Sequence, residues 1–374
     1  MGRETKIDFI YHSSNSTNDY SALSISFFSF VSAPFYYFHE KVEQLKGLSK
    51  KRRRKNLSQN RLVPNTFLYT FNYAEEEEQL CKLEVRSLFR ADLHAFVLES
   101  SINRDPSRSP FIKEKIAVLF TGDTLENLKQ KVEAMPSLHS TYKVIGINYR
   151  DIDPLDKMEF NERKGIARQI GCLVPGAANL HNPEIVFAIT KLKGKWYFGY
   201  YSENQGMWLI HQQKPHNYST ALTTRVARAL VNIAVPELRG VKVIDPCCGI
   251  GTVLVEALSM GVNITGSDYN PLVMKGIRNN LAHFGLSGPV FLRDIRDITE
   301  MYDVAIIDMP YNLCSVVSDE EKFAMLQSAR RFAKKMVIVT TEDIDGILGE
   351  AGFEIVDRCE VPKGKFIRQT IVCC

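Results

Sequence analysis

The feature that most constrains the fold is the stretch Val241 to Thr252, which reads VKVIDPCCGIGT. Its β-branched start predicts a buried strand, and Val253 to Met260 predicts a helix directly after the two glycines. A glycine turn between a strand and a helix N-terminus presents backbone N–H groups and lets a ligand approach the main chain closely. The alternative is a tight turn that binds nothing, and two further motifs favour the ligand site.

Both motifs place an acid at the end of a predicted strand. The segment Ile264 to Pro271, ITGSDYNP, ends its strand at Asp268, where a carboxylate can accept both hydroxyls of a ribose. The second motif, Asp308-Met309-Pro310-Tyr311, follows the apolar run Val304 to Ile307. An acid that accepts from an exocyclic amino group, beside a ring that stacks on a base, suits methylation of a nucleobase nitrogen.

The three motifs, D-P-C-C-G-x-G-T, G-S-D and D-M-P-Y, resemble those of the S-adenosylmethionine (SAM) methyltransferases that modify exocyclic amino groups. The resemblance implies an α/β fold: a Rossmann-like SAM methyltransferase domain over residues 221–374, with a seven-stranded sheet and a C-terminal antiparallel hairpin. SAM is the implied cofactor. The implied cofactor-binding residues are Asp245, Pro246, Cys247, Gly249, Gly251, Thr252, Asp268, Tyr269, Asp294 and Ile295, and the implied catalytic residues are Asp308, Pro310 and Tyr311.

Several of these positions have a second interpretation. Asp294 is expected either to bind the adenine amino group, as the resemblance implies, or to cap the turn before Ile295, and Asp308 could simply cap the turn after its strand. Met309 replaces the first proline of the usual D-P-P-Y, and Asn312 stands where the tRNA enzymes commonly have glycine. NAD is disfavoured as a cofactor because the third glycine of G-x-G-x-x-G is absent after Gly251.

The chain before this domain predicts a second region, over residues 66–202. From Phe67 to Asn148 the order of elements is βαββαβ, which is typical of a ferredoxin-like unit, with the turn Arg108 to Phe111 between its middle strands and available to face RNA. From Tyr142 to Ser202, a basic helix, L-V-P-G, N-L-x-N-P-E and an aromatic strand resemble the THUMP domain of tRNA-modifying enzymes. The resemblance implies RNA binding; the alternative is an ordinary α+β domain whose Lys and Arg side chains keep it soluble.

Two segments remain. Residues 1–65 are predicted to be a poorly ordered extension, in which KKRRRK (Lys50 to Lys55) is a basic linker, an RNA contact or a targeting signal, and in which Ala22 to Phe38 is too often interrupted by serine and Pro34 to span a bilayer. Residues 203–220 are predicted to be a linker. The resemblance implies that its last part, Lys214 to Ser219, closes over the cofactor.

The amino-acid composition restricts the class of protein but does not by itself indicate a function. The net charge of +4 over 374 residues permits RNA binding through a local patch without requiring it. The eight cysteines show no zinc-type spacing and no secretory pattern, so we expect reduced thiols in a cytoplasmic protein without a metal and without a membrane role. The function implied is methylation of guanosine N2 in tRNA. The alternatives are methylation of guanine N2 in ribosomal RNA, methylation of adenine N6, or an RNA-binding protein with a degenerate catalytic loop. The oligomeric state stays open.

Overall fold

The structure is a computed structural model that describes residues 63–218, 221–310, 317–363 and 366–374. Residues 62–374 form one compact unit. The predictions made for residues 1–62, Tyr311 and Asn312 lie outside the described residues. Within the part that is described, no helix is long and apolar enough to cross a lipid bilayer.

The front half of the described chain forms a six-stranded sheet with the order β2-β1-β3-β6-β5-β4. Its strands are β1 (Thr66–Phe71), β2 (Val97–Ser100), β3 (Ile112–Gly122), β4 (Tyr142–Gly146), β5 (Ile185–Leu192) and β6 (Lys195–Glu203). All neighbours are antiparallel except β4 and β5. The β5–β6 hairpin pairs with the edge of β3 that would otherwise remain open, so one sheet spans the whole of this half. The predicted ferredoxin-like arrangement is wrong in its strand pairing: such a unit places β3 between β1 and β2, whereas here β1 lies between β2 and β3, and β4 pairs with β5. The THUMP-like character of this half stays a prediction.

Three helices accompany this sheet: α1 (Glu78–Phe89), α2 (Leu125–Glu133) and α3 (Phe160–Leu173). Helices α2 and α3 bury Leu128 and Ile170 against a face of the sheet that is built on Phe187 and Phe198. The two rings stack with their centroids 5.1 Å apart. The exposed side of α3 carries Lys164, so this helix is amphipathic in the way its sequence predicts.

The second half forms a seven-stranded sheet with the order β12-β13-β11-β10-β7-β8-β9. Its strands are β7 (Lys242–Asp245), β8 (Asn263–Asp268), β9 (Val290–Leu292), β10 (Tyr302–Asp308), β11 (Ala333–Thr340), β12 (Ile355–Lys363) and β13 (Phe366–Cys373). The five neighbouring strands β11, β10, β7, β8 and β9 are parallel, whereas β13 is antiparallel to both β11 and β12. The predicted seven-stranded Rossmann-like sheet with its closing hairpin is confirmed.

Helices α4 (Met207–His211), α5 (Thr224–Ala234), α6 (Thr252–Ser259), α7 (Val273–His283), α8 (Asp319–Phe332) and α9 (Asp345–Glu350) complete this half. Local sequence explains their ends. Helix α8, for example, begins where the Ser318 hydroxyl accepts the Glu321 N–H and the Glu321 carboxylate accepts the Ser318 N–H, and it ends with two arginines at its negative pole. The predicted apolar face of α5 is confirmed, since Leu230 and Ile233 are fully buried.

The two halves meet along α1 and α5, which pack together. The segment predicted to be a linker contains α4 and contacts the front half: the Asn204 side chain donates to the carbonyls of Pro106, Ser109 and Ile112. The turn Arg108 to Phe111 lies inside this junction, with Ser109 completely buried. The prediction that this turn could face RNA is wrong, because Arg108 and Ser109 are buried and their side chains bond to Asn232 of α5 and Glu84 of α1.

Candidate active site at the carboxyl edge of the second sheet

Three strands of the second sheet each end at an aspartate: β7 at Asp245, β8 at Asp268 and β10 at Asp308. The three strands are parallel neighbours, so their carboxyl ends lie at one edge. The strand order reverses between β7 and β10, and ligands of open α/β sheets bind at such a reversal. The sequence predicted these acids separately, and the topology brings them together.

The glycine turn after β7 has the form that a ligand-binding turn requires. Gly249 and Gly251 have φ angles of 51° and 79°, which favour glycine strongly. A Cβ at Gly249 would meet no atom within 4 Å, whereas one at Gly251 would lie 2.5 Å from Cγ1 of Ile277. Gly249 thus leaves space for a ligand beside the main chain, while Gly251 lets the turn pack tightly on α7.

Asp268 is tied to this turn. One carboxylate oxygen accepts the Gly249 N–H at 2.8 Å, and the other accepts the Asn270 N–H at 2.9 Å. Burial raises the pKa of Asp268, and these two hydrogen bonds oppose the rise. Each oxygen keeps a further lone pair, so the fixed carboxylate can still accept two hydroxyl groups of a nucleoside.

Asp245 is almost fully buried at the centre of the edge. Burial raises its pKa well above the usual range, and the neighbouring charges of Asp308 and Asp268 raise it further. Its own hydrogen bond from the Cys247 N–H, at 3.3 Å, opposes the rise. A cationic ligand would relieve the repulsion among these acids, and SAM carries a sulfonium and an ammonium group; the acids and the open cradle at Gly249 therefore fit SAM.

Four further predicted cofactor-binding residues follow β7 and β8 in the sequence. Pro246 is buried and Cys247 half-buried, and burial raises the pKa of the Cys247 thiol well above its usual value. Thr252 starts α6, and its buried hydroxyl has no hydrogen-bond partner within the described part of the chain. Tyr269, just beyond Asp268, is 70% exposed and so remains available to cover a bound ligand.

Asp294 has the capping geometry. Its side chain accepts the Arg296 N–H at 2.8 Å and both Nε and a terminal nitrogen of the Arg296 guanidinium at 2.9 and 2.7 Å. This ion pair holds the pKa of Asp294 below its usual value. Ile295 is buried in the core next to it. The adenine-binding role of these two residues stays a prediction, whereas the capping role is visible in the contacts.

The methionine of D-M-P-Y belongs to the core. The Met309 N–H donates to the Val339 carbonyl at 2.9 Å, and its side chain is 4% exposed among the residues that cover β11. The replacement of the usual proline therefore lengthens the β10–β11 ladder and leaves the half-buried Asp308 and Pro310 at the edge. Tyr311, the third predicted catalytic residue, lies outside the described residues.

The segment Lys214 to Tyr218 is linked to the glycine turn through α7. Its predicted closure over the cofactor stays a prediction. Asn280 of α7, itself fully buried, accepts the His216 N–H at 2.9 Å and donates to the carbonyls of His216 and Ile250 at 3.1 and 2.9 Å. Lys214 is buried nearby, and its burial lowers its pKa. Sequence reasoning missed Asn280, whose only signal is a buried amide on an otherwise amphipathic helix.

This sheet, with an antiparallel strand inserted beside β11 and with acids at the ends of β7, β8 and β10, defines a Rossmann-like SAM-dependent methyltransferase. Residues 211–345 of the chain match the model of the family described as UPF0020, RMKL-like, methyltransferase domain. The predicted class of enzyme and its cofactor are confirmed.

Curated proteins similar to this chain include RNA guanine-N2 methyltransferases. The chain is 32% identical over 119 residues to a tRNA (guanine(10)-N2)-dimethyltransferase of Methanothermobacter thermautotrophicus, covering 30% of this chain and 35% of the relative. It is 24% identical over 297 residues to the enzyme of the same name from Methanocaldococcus jannaschii, covering 67% and 84%. A U6 snRNA (guanine-N(2))-methyltransferase of Mus musculus is 28% identical over 144 residues, covering 36% and 27%.

Among solved structures, TrmN from Thermus thermophilus aligns with a TM-score of 0.42 and 17% identity, over 82% of this chain and 99% of that one. The putative methyltransferase SMU.472, solved with SAH, aligns with a TM-score of 0.42 and 15% identity, over 82% and 98%.

Proposed function

We propose that the protein transfers a methyl group from SAM to the exocyclic N2 of a guanosine in tRNA. The observation that carries the proposal is the position of Asp308, at the end of β10 and beside the buried Asp245. A relative that the match covers over 84% of its own length, the tRNA (guanine(10)-N2)-dimethyltransferase of Methanocaldococcus jannaschii, supports the same choice of acceptor. We place the reaction in the cytoplasm, where the seven cysteines of the described part, all free thiols, would stay reduced.

Bound SAM supplies an electrophilic methyl group, so the protein's task is to position the acceptor and to manage a proton. The N2 lone pair of guanine is delocalised into the ring. A carboxylate that accepts an N2–H hydrogen bond, with a second acceptor from the main chain near Met309 or Pro310, localises that lone pair toward the methyl carbon. As the N–C bond forms and the C–S bond breaks, S-adenosylhomocysteine would leave and N2 would become cationic. The negative charge of Asp308 would stabilise that cation until the hydrogen-bonded N2 proton passes to its carboxylate.

We assign RNA binding to residues 66–202 and catalysis to residues 221–374. On α3, the exposed Lys164 and Arg168 can contact phosphates, and Phe160 is 57% exposed with the Lys164 Nζ 4.3 Å from its ring centroid. Basic side chains beside an exposed ring are suited to a nucleic-acid backbone and an unpaired base. Tyr311 is assigned to stacking on the target base.

A second candidate keeps the reaction and changes the RNA. The relative from Mus musculus is named for U6 snRNA, and it is 28% identical to this chain over 144 residues. Guanosine N2 of a small nuclear RNA is therefore the alternative substrate, whereas nothing in the site favours ribosomal RNA or adenine N6.

The test compares tRNA, U6-type snRNA and ribosomal RNA transcripts as acceptors for labelled SAM, followed by mass spectrometry of the nucleosides. We expect N2-methylguanosine in tRNA. The matched variants are Asp308→Asn and Asp303→Asn, which change the same side chain at opposite ends of β10. Asp303 contacts the Lys242 N–H and Lys334 away from the site, so only the first variant should lose activity. Methylation of adenine, or equal activity of both variants, would contradict the proposal.

A further inference from the structure

A buried ion pair joins the two halves of the molecule. Arg228 of α5 donates from Nε to the Arg108 carbonyl at 2.9 Å and from a terminal nitrogen to the Ser107 carbonyl at 2.6 Å. Its other terminal nitrogen donates to a carboxylate oxygen of Glu256 at 2.7 Å. The second oxygen of Glu256 lies 2.7 Å from His211 Nδ1 at the end of α4. Both charged side chains are almost wholly out of solvent.

A second set of contacts surrounds this pair on the front side. The Asn232 amide of α5 donates to Glu84 of α1 at 2.6 Å and accepts from Arg108 Nε at 2.9 Å. The Ser109 hydroxyl also donates to Glu84. These bonds connect α1, the turn before β3 and α5 through buried side chains alone, so the front half can hardly slide along α5 without breaking several of them.

The hydrogen-bond network reaches the front sheet on one side and the helix after the glycine turn on the other. The turn that holds Ser107 and Arg108 leads directly into β3, the eleven-residue strand of the front sheet. Glu256 lies in α6, the helix that begins at the glycine turn with Gly251 as its N-cap. A single ion pair, Arg228 with Glu256, thus connects the backbone that leads into the front sheet with the helix that follows the glycine turn.

Buried charges are a costly way to join two surfaces. Apolar side chains of similar volume generally hold an interface as well or better, but they tolerate sliding, whereas a buried pair with directed hydrogen bonds permits one arrangement. Two forked ion pairs at the margin act in the same sense: Arg86 with Asp357 at 2.8 Å, and Arg225 with Glu77 at 2.7 Å. The junction is therefore built for a fixed orientation.

We propose that Arg228 and Glu256 are positioning residues that hold the front half at one orientation to the glycine turn and thereby select the nucleotide that is methylated. The inference rests on the proposed function, in which the front half grips the RNA and the second half transfers the methyl group. If the orientation shifts, the RNA remains bound and the cofactor remains bound, but a different guanosine, or several, reaches Asp308.

The test uses the full chain with Arg228→Lys. Lysine keeps a cation beside Glu256, so no buried carboxylate is left alone, but it cannot reach two carbonyls of the front half at the same time. The matched control is Arg330→Lys, since Arg330 donates to the Gly352 carbonyl within the second half and does not cross the junction. Three quantities are measured: the Kd for SAM, the kcat and KM for tRNA, and the methylated position, mapped by nuclease digestion and mass spectrometry.

We expect Arg228→Lys to bind SAM within about twofold of the parent, because the contacts it loses do not touch the cofactor turn. We expect kcat at the parent position to fall about 10- to 100-fold, with methyl groups appearing on other guanosines, because a displacement of about 1 Å is enough to misplace the acceptor. Arg330→Lys should match the parent in all three quantities.

Two results would overturn the inference: methylation of the parent position alone at the parent kcat, or a loss of SAM affinity that accounts for the loss of kcat. If Arg228→Lys does not fold, Glu256→Gln is measured in its place, since glutamine keeps an acceptor for Arg228 with a weaker, uncharged bond, and the same two results decide. A parent protein that methylates no RNA would instead refute the proposed function, and the two failures are thus distinguishable.

Discussion

The carboxyl group of Glu84 makes the stability of the junction depend on pH. Glu84 lies in α1 without solvent contact, and its burial raises its pKa from 4.5 to about 7, against the opposing hydrogen bonds from Ser109 and Asn232. The folded protein therefore binds a proton that the unfolded chain releases at lower pH. The free energy of unfolding should fall as the pH rises from about 4.5 to about 7, and above that window the cost of the buried charge is fully present.

The size of this effect follows from the same interval. Between 4.5 and about 7, at about 1.36 kcal/mol for each pH unit, the free energy of unfolding changes by about 3 kcal/mol. Glu84→Gln removes the titration. Glutamine also alters the hydrogen bonds with Ser109 and Asn232, but that cost does not depend on pH. The difference in stability between variant and parent should therefore shift by about 2.5 kcal/mol in favour of the variant between pH 5 and pH 8, since the unfolded chain is already partly ionised at pH 5.

Urea unfolding of both proteins at pH 5, 6, 7 and 8 measures this difference. Trp208, whose ring lies 4.6 Å from the Arg225 guanidinium at the junction, reports its opening by fluorescence once Trp196 is replaced by phenylalanine in both proteins. A difference between the two proteins that is the same at all four pH values would refute the reasoning, since it would mean that Glu84 titrates alike in the folded and unfolded states.

Four further results are expected. Asp268→Ala should weaken SAM binding about tenfold or more, since charged hydrogen bonds contribute roughly 1.5 to 3 kcal/mol, and an unchanged calorimetric Kd would remove this residue from the cofactor site. Asp308→Asn should lower the single-turnover methylation rate by about 10²-fold with both ligands still bound, because its charge acts on the developing cation. Gly251→Ala should cost about 1 to 3 kcal/mol in calorimetric stability, because its φ is 79° and its new Cβ would lie 2.5 Å from Ile277. Lys164→Glu should weaken RNA binding most at low salt and reduce the slope of log K against log salt by about 1.

Two of these substitutions have a matched control in the chain. Gly165→Ala is the partner of Gly251→Ala, because a Cβ there meets no atom within 4 Å in the middle of α3, and it should leave stability unchanged or improved. Asp303→Asn serves Asp308→Asn as described above. If Asp308→Asn retained the parent rate, the proposed catalytic carboxylate would be excluded, and Lys214 would be the next residue to test.

The structural elements around the candidate site that the sequence predicts correctly are those encoded by consecutive residues. The strand, glycine turn and helix around Gly249 and the acid that ends β8 are local patterns, and parallel strands then bring them to one edge. The junction is different. Arg108 finds its partners on α5, more than a hundred residues further along the chain, so its neighbours in sequence suggested an exposed turn.

Glu256 shows which signal was present and overlooked. It is the one acid in the otherwise uncharged helix TVLVEALS, and a charge among buried residues requires a partner. The sequence predicts that such a partner exists but not which side chain supplies it, because Arg228 and His211 reach it through tertiary packing. Asp294 is the converse case: both of its interpretations were available, and the neighbouring Arg296 favours the cap only once the geometry is known.

The methionine that replaces proline in D-M-P-Y gives this enzyme a spectroscopic reporter. A proline at that position has no amide hydrogen, whereas the Met309 amide is bound to the Val339 carbonyl directly next to Asp308. Exchange of this hydrogen for deuterium requires the end of β10 to separate from β11. Met309 is one residue from the proposed catalytic carboxylate of Asp308. The exchange rate of its amide hydrogen therefore shows whether binding of SAM or RNA stabilises the end of β10 before methyl transfer.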